Sequence, residues 1–165
     1  MYKEELSVIS QAILNEIEGF EFYNLAANQA ETSGTKEAFL ELANEELKHA
    51  DYLKALWKKL SDGHEVKIED IVESGIDIPS PEIYRWDKVD KSSSSVAMSI
   101  FGIGMQMEKS SIDFYEEAKS KLSSQASKDL IDLLISWEKV HLNQFSNQYS
   151  LLKEDWWSEQ GFAPF

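Results

Sequence analysis

The chain has 165 residues, of which 42% are hydrophobic, and its 30 acidic and 16 basic side chains give a formal net charge of -14. This charge disfavours nucleic acids and anionic membranes as partners, whereas the length suffices for one domain with a hydrophobic core. Because the sequence lacks cysteine, a signal-peptide pattern and a long apolar segment, we expect no disulfide or thiolate site, no membrane span and a cytoplasmic location.

Apolar side chains recur at helical spacing in four segments. They predict helices over residues 4–30, 36–60, 93–121 and 127–152. Thr35 and Ser127 are the expected N-caps of the second and fourth helices. Residues 61–92 contain two prolines and no sustained period, so they predict a long connection with one short helix at most.

Two helical hairpins with short loops and one long crossover are typical of an all-α, ferritin-like four-helix bundle, here residues 1–152. A bundle without any functional site would show the same pattern, so the predicted fold leaves the function open. Residues 153–165 hold four aromatic side chains: Trp156, Trp157, Phe162 and Phe165. We expect this tail to be irregular and to pack on the bundle or on the partner in a homodimer.

A repeat relates the two predicted hairpins. Phe22 recurs as Phe114, and four candidate site residues of the first hairpin likewise recur 92 positions later, so the second hairpin resembles a copy of the first. The pairs are Glu16 and Glu108, Tyr23 and Tyr115, Glu46 and Glu138, and His49 and His141.

The Glu-x-x-His spacing places a carboxylate and an imidazole on one helix face, about 60° and one turn apart. One such pair alone indicates no more than a surface ion pair. The repeat, however, directs four carboxylates and two imidazoles toward the core, where unpaired charges are unstable. Two divalent cations would neutralise the carboxylates, and this ligand set is the one found in di-iron and di-manganese bundles. We therefore predict two iron ions, with manganese or zinc as possible substitutes.

Tyr23 and Tyr115 each follow an inward glutamate by seven residues, or about two helical turns. We expect their hydroxyls to hydrogen-bond ligand carboxylates, although a core aromatic would fit the same position. Gly19 and Gly104 lie at the level of the site and leave room for an oxidant or for tight helix packing. Other acidic residues, among them Glu5, are expected on a solvated face.

The segments NEIEGFEFY, LANEELKHA, MEKSSIDFY and SWEKVHL resemble the rubrerythrin branch of the ferritin-like superfamily. The resemblance implies that the six glutamates and histidines are metal ligands and that Glu46 and Glu138 bridge the two ions. It also implies an oxidoreductase that reduces hydrogen peroxide.

Two departures from this family affect the expected reaction. Full-length rubrerythrins carry a rubredoxin domain whose iron is held by four cysteines, and this chain has no cysteine. We therefore expect electrons from an external donor such as rubredoxin. Those enzymes also tend to carry a carboxylate one turn after the third-helix glutamate, where this chain has Ser111.

Three functions fit these residues. The first is reduction of hydrogen peroxide or dioxygen at the metal pair. The second is ferroxidase or iron-handling activity, which the acidic composition permits. The third is a non-enzymic, metal-stabilised adaptor that binds partners through the aromatic tail.

Overall fold

The computed structural model describes residues 3–30, 33–71 and 94–161. These residues form four long α-helices, and the part of the chain they cover contains no strand. Two short 3₁₀ segments, Ile68–Asp70 and Lys119–Lys121, accompany them. The helices are α1 (Lys3–Gln29), α2 (Ser33–Ser61), α3 (Ser94–Ala118) and α4 (Gln125–Gln160).

The predicted four-helix bundle is confirmed. The helices α1 and α2 pack along each other as one hairpin, and α3 and α4 pack as the other. Of the predicted crossover 61–92, the structure describes the residues up to 71, including the 3₁₀ segment, and the rest lies outside the described residues. Within the described residues, no helix is long and apolar enough to cross a membrane.

The C-terminal tail differs from the expectation. Helix α4 continues to Gln160, so the prediction of an irregular chain from residue 153 was wrong. No proline or glycine interrupts this stretch before Gly161, which ends the helix with a left-handed φ of 70°. The rings of Trp156 and Trp157 contact each other edge to face. Docking of the tail on the bundle or on a partner stays a prediction, and Phe162 and Phe165 lie outside the described residues.

A carboxylate from the other hairpin accepts hydrogen bonds from the residues at the start of α4. Glu5 of α1 is only 2% exposed, so its expected place on a solvated face was wrong. Its carboxylate accepts hydrogen bonds from the backbone N–H and the hydroxyl of Ser123, from the N–H of Ser124 and from the hydroxyl of Ser127. A negative charge at a helix N-terminus pairs with N–H groups that the helix itself leaves free. Glu5 therefore caps α4 and fixes it to α1.

Both predicted N-caps, Ser127 for α4 and Thr35 for α2, were wrong. Ser127 lies in the first turn of α4 and donates to Glu5, while Ser124 occupies the N-cap position. Thr35 is buried inside α2, which begins two residues earlier, at Ser33. Sequence boundaries of helices commonly move by one or two residues in this way.

The hydrophobic core consists of two clusters separated along the bundle axis. One cluster includes Ile9, Leu53, Leu130, Leu134 and Trp137. The other includes Ala27, Phe39, Leu42, Phe101 and Phe145. Burial of each large apolar side chain contributes about 1.5–3 kcal/mol to stability. The polar residues described next lie between these clusters, so both clusters support the site.

Candidate metal centre

All six predicted ligand residues are buried and point toward the middle of the bundle. Each helix contributes through the inward face of its 3.6-residue period. Their exposed fractions lie between 0 and 4%. The residues are Glu16 on α1, Glu46 and His49 on α2, Glu108 on α3, and Glu138 and His141 on α4.

The donor atoms form two overlapping groups. One joins Glu16 and His49 to Glu46 and Glu138, and the other joins Glu108 and His141 to the same two carboxylates. Within each group the donor atoms lie within 4.8 Å of one another. We call Glu46 and Glu138 the shared carboxylates, and Glu16 and Glu108 the outer carboxylates. Two adjacent ions would thus have two residues in common and two residues each of their own.

The histidine rings lie at the contacts between helices. The Nδ1 atom of His49 is 3.0 Å from Oε2 of Glu16 and 3.2 Å from Oε1 of Glu138. The Nδ1 atom of His141 is 3.3 Å from Oε1 of Glu46 and 3.2 Å from Oε2 of Glu138. The His49 ring therefore reaches Glu138 on the other hairpin. The His141 ring reaches Glu46 on the other hairpin and Glu138 on its own.

The two tyrosines donate hydrogen bonds across the bundle. The hydroxyl of Tyr23 on α1 donates to Oε1 of Glu108 on α3, and that of Tyr115 on α3 donates to Oε1 of Glu16 on α1. Each tyrosine thus orients the outer carboxylate of the opposite hairpin. The sequence predicted a hydrogen bond from each tyrosine to a carboxylate of the site. The crossing of the two bonds was not predicted.

Burial and mutual repulsion change the protonation of the site. Burial, followed by the negative charge of Glu138, raises the pKa of Glu16 and of Glu108 well above its usual value. Burial alone would lower the pKa values of His49 and His141, but the surrounding carboxylates outweigh it and raise both well above the usual value. The metal-free protein therefore holds protons where four carboxylates would otherwise repel one another.

The shared carboxylates respond in the opposite direction. Burial works to raise the pKa of both, but the close approach of the two histidine rings outweighs it. The pKa of Glu46 is lowered, and that of Glu138 is lowered well below its usual value. The two residues common to both donor groups therefore remain ionised and available to cations.

The donor set fits two metal ions. Oε1 of Glu46, both carboxylate oxygens of Glu138 and Nε2 of His49 are buried and make no hydrogen bond to the described residues. Buried polar atoms without partners are rare, and a ligand is one explanation for them. Four carboxylates and two imidazoles without a thiolate are typical of iron or manganese sites.

The glycines that the sequence placed near the site have different surroundings. A Cβ atom at Gly19 would lie 3.3 Å from Cγ and Oε2 of Glu46, so this glycine lets α1 approach a shared carboxylate. A Cβ atom at Gly104 would lie 3.0 Å from the Phe145 ring, so Gly104 serves helix packing. At Gly104 the packing explanation is therefore the better one.

A groove runs along the outside of α1 and α3 at the level of the outer carboxylates. Its volume is about 270 Å³. Its lining residues include the immediate chain neighbours of Glu16 and Glu108. The lining consists of Asn15, Glu18, Ile103, Gln106, Met107, Ser110 and Ser111.

Sequence reasoning missed one residue beside the site. The ring of Trp137 on α4 stacks on that of His49 on α2, with centroids 4.8 Å apart and an interplanar angle of 2°. Trp137 precedes Glu138 in the chain and is 2% exposed. The sequence offered no signal that distinguishes it from an ordinary core tryptophan.

Comparison with known proteins agrees with this geometry. Searches of curated proteins and of solved structures gave no match. A family model described as rubrerythrin matches residues 7–149, a range that includes all six donors and both tyrosines. With that match over most of its length and a buried Glu/His cluster between its hairpins, the chain belongs to the rubrerythrin family.

Proposed function

We propose that this protein holds two iron ions with the six buried donors and reduces hydrogen peroxide or dioxygen, using electrons from an external donor. The observation that carries the proposal is the overlap of two donor groups through Glu46 and Glu138. Membership of the rubrerythrin family supports an oxidoreductase in general terms. Manganese or zinc could occupy the same donors.

The side chains of the site would have separate tasks. The shared carboxylates would contact both ions, while each outer carboxylate and its histidine would complete the coordination of one ion. The Tyr23 and Tyr115 hydroxyls would fix the orientation of the outer carboxylates, which in turn limits the geometries available to the ligands.

When bound, a ferrous pair would supply the two electrons that cleavage of a peroxide O–O bond requires. The chain has no cysteine to hold a thiolate-bound iron, which supports a separate electron donor such as rubredoxin. We infer that a small oxidant would approach through the groove along α1 and α3, since Asn15 and Met107, the chain neighbours of Glu16 and Glu108, line it. The homodimer and the cytoplasmic location stay predictions.

The test is anaerobic single-turnover mixing of the iron(II)-loaded protein with hydrogen peroxide. We expect one peroxide to be consumed for every two irons oxidised, after which consumption stops. Rubredoxin with its reductase should restore turnover. The matched control is Glu138→Ala, which removes a shared carboxylate and should abolish the reaction.

Two other outcomes would overturn the peroxide assignment. Rapid oxidation by dioxygen followed by release of iron, with little reaction toward peroxide, would indicate a ferroxidase. A protein that keeps two bound metal ions but reacts with neither peroxide nor dioxygen would indicate the metal-stabilised adaptor.

A further inference from the structure

Two aromatic rings connect the metal centre to the protein surface. Trp137 stacks on His49 with a centroid separation of 4.8 Å. Tyr52, one turn after His49 on α2, also packs against Trp137, with centroids 6.0 Å apart and an interplanar angle of 29°. Tyr52 is half-buried, and its neighbour Asp51 is exposed. The three rings thus form a continuous row from a candidate ligand to the solvent.

Packing alone does not explain the tryptophan in this row. Its Nε1 atom is buried and has no hydrogen-bond partner among the described residues. Leaving a buried donor unpaired costs about 1–3 kcal/mol. A phenylalanine would fill apolar space without this loss, so the indole brings something other than volume to the position.

The row occurs in only one half of the repeat. The 92-residue offset that relates the ligands places Glu45 opposite Trp137 and Gln144 opposite Tyr52. The chain has therefore repeated its donors but not this pair of aromatic residues. The His49 side of the site and the His141 side differ in what connects them to the surface.

We propose that Tyr52 and Trp137 form the route by which electrons from an external donor reach the metal pair through His49. This inference rests on the proposed function and specifies where its reductant acts. The donor would be a protein carrying a one-electron reductant, such as a single ferrous iron held by thiolates.

The transfer balances without a proton. Each step moves one electron across the two rings, so that the donor iron becomes ferric and one ferric ion of the site becomes ferrous. Two transfers restore the ferrous pair that one peroxide has oxidised. Neighbouring rings suit this role because they divide the distance between the surface and His49 into short steps.

The absence of cysteine makes a direct test practicable. Asp51→Cys would introduce a single thiol on an exposed position beside Tyr52, where the Asp51 side chain is 64% exposed. A ruthenium photosensitiser attached there would deliver an electron after a light flash. The measured quantity is the rate at which the ferric absorption of the loaded protein disappears.

The expected rates distinguish a relay from a structural role. Trp137→Leu and Tyr52→Leu should each slow the transfer several-fold, and Trp137→Phe, which keeps a ring but loses the indole, should slow it measurably but less than Trp137→Leu. Gln144→Leu, at the position equivalent to Tyr52, is the matched control and should leave the rate unchanged. Bound iron is measured in every variant.

A second measurement does not depend on electron delivery. Ferric loading should quench the tryptophan emission of the wild type more than that of Trp137→Phe, whereas zinc loading should leave both emissions nearly unchanged. This difference would show that the emission lost on loading comes from the ring beside His49.

The outcomes separate this inference from the proposed function. Equal transfer rates in all variants with two irons bound would overturn the relay and leave the metal site intact. A folded wild type that binds no iron would overturn both. If Trp137→Leu fails to fold, Tyr52→Leu and Trp137→Phe decide the matter.

Discussion

The two hairpins present the same donors in different surroundings. Both provide a Glu, a Glu-x-x-His pair and a Tyr at matched positions, and all eight side chains are buried. The neighbouring positions differ: Gly19 corresponds to Ser111, and Trp137 corresponds to Glu45. The candidate donors are therefore the same in both halves, whereas the residues around them differ.

The largest expected effect comes from removing a carboxylate that both halves share. Glu46→Ala or Glu138→Ala should lose at least one of two bound ions, because both donor groups contain these residues. Glu16→Ala should weaken binding at one position only. The measurement is metal analysis of iron-loaded protein, with the exposed Glu4→Ala as the control. A shared-carboxylate variant that keeps two ions would contradict the bridging role.

Removing the crossed hydrogen bonds tests whether the halves remain equivalent. Tyr23→Phe and Tyr115→Phe should each lower metal affinity about 10- to 100-fold, the usual effect of losing a partner that orients a ligand. The two losses should be similar, because each tyrosine serves one outer carboxylate. Metal titrations give the affinities, and Tyr149→Phe, a partly exposed tyrosine on α4, serves as the control. A large loss for one variant alone would show that the halves bind their ions unequally.

The pH dependence of stability should separate the metal-free protein from the loaded protein. The pKa values of Glu16, Glu108, His49 and His141 are raised in the fold. Their stabilising contribution is therefore complete below the unfolded values, 4.5 for Glu and 6.5 for His, and is lost as the pH rises through the folded values. Bound ions replace these protons, so the loaded protein should not lose this stability.

Thermal melting with and without iron, from about pH 6 to about pH 9, measures this difference. The metal-free protein should stay folded on its two apolar clusters, and the gap in melting temperature should widen as the pH rises. The shared carboxylates, whose pKa values are lowered, act in the opposite direction but only at acidic pH. A gap that narrows toward high pH would contradict the prediction.

A smaller effect is expected where one hairpin caps the other. Glu5→Ala should lower the free energy of unfolding by about 1–3 kcal/mol, because it leaves buried donors at the start of α4 unpaired. The number of bound ions should not change. Denaturant unfolding measures the loss against Glu4→Ala, an exposed neighbour that should change stability by less than about 0.5 kcal/mol. Equal losses in the two variants would show that the cap contributes nothing.

The smallest effect on stability and metal binding is expected at Gly19, beside Glu46, and at its equivalent Ser111. Gly19→Ala gains up to about 1 kcal/mol of helix propensity. The added Cβ, however, presses on Glu46 and should weaken iron binding. Ser111→Ala at the equivalent position should change neither stability nor binding appreciably. Parallel melts and iron titrations give the comparison, and stronger binding by Gly19→Ala would contradict it.

A further substitution at Ser111 tests the departure from the family pattern. Ser111→Glu should speed oxidation by peroxide if the missing carboxylate limits the reaction. Stopped-flow mixing of the ferrous protein with peroxide measures the rate. An unchanged rate would show that the serine does not matter to the mechanism.

The sequence predicted the fold and the inward position of the six candidate donors because both depend on local rules. Helical periodicity decides which face of a helix carries Glu46 and His49, and the 92-residue offset shows that the second pair shares their orientation. Gly161 is also a typical helix-terminating residue, and its position alone predicts the end of α4. The aromatic composition of the tail led instead to the prediction of an irregular segment.

The residues that the sequence did not reveal depend on contacts between distant segments. Glu5 meets the start of α4 more than 100 residues later in the chain, and no local pattern marks such a carboxylate as a cap. Trp137 meets His49 across the two hairpins in the same way. The sequence could predict that each tyrosine lies near an outer glutamate. Only the packed structure shows that each one donates to the glutamate of the other hairpin.

The crossed tyrosine bonds have a consequence for how the site assembles. One hairpin alone leaves a phenol and a carboxylate unmatched, and a second copy of that hairpin would supply the complement of each. In a two-fold symmetric dimer, each subunit makes the same contact to the other. The two hairpins of this single chain contact each other in that way. Its long connection makes the meeting of the two halves intramolecular, so completion of the centre is independent of protein concentration.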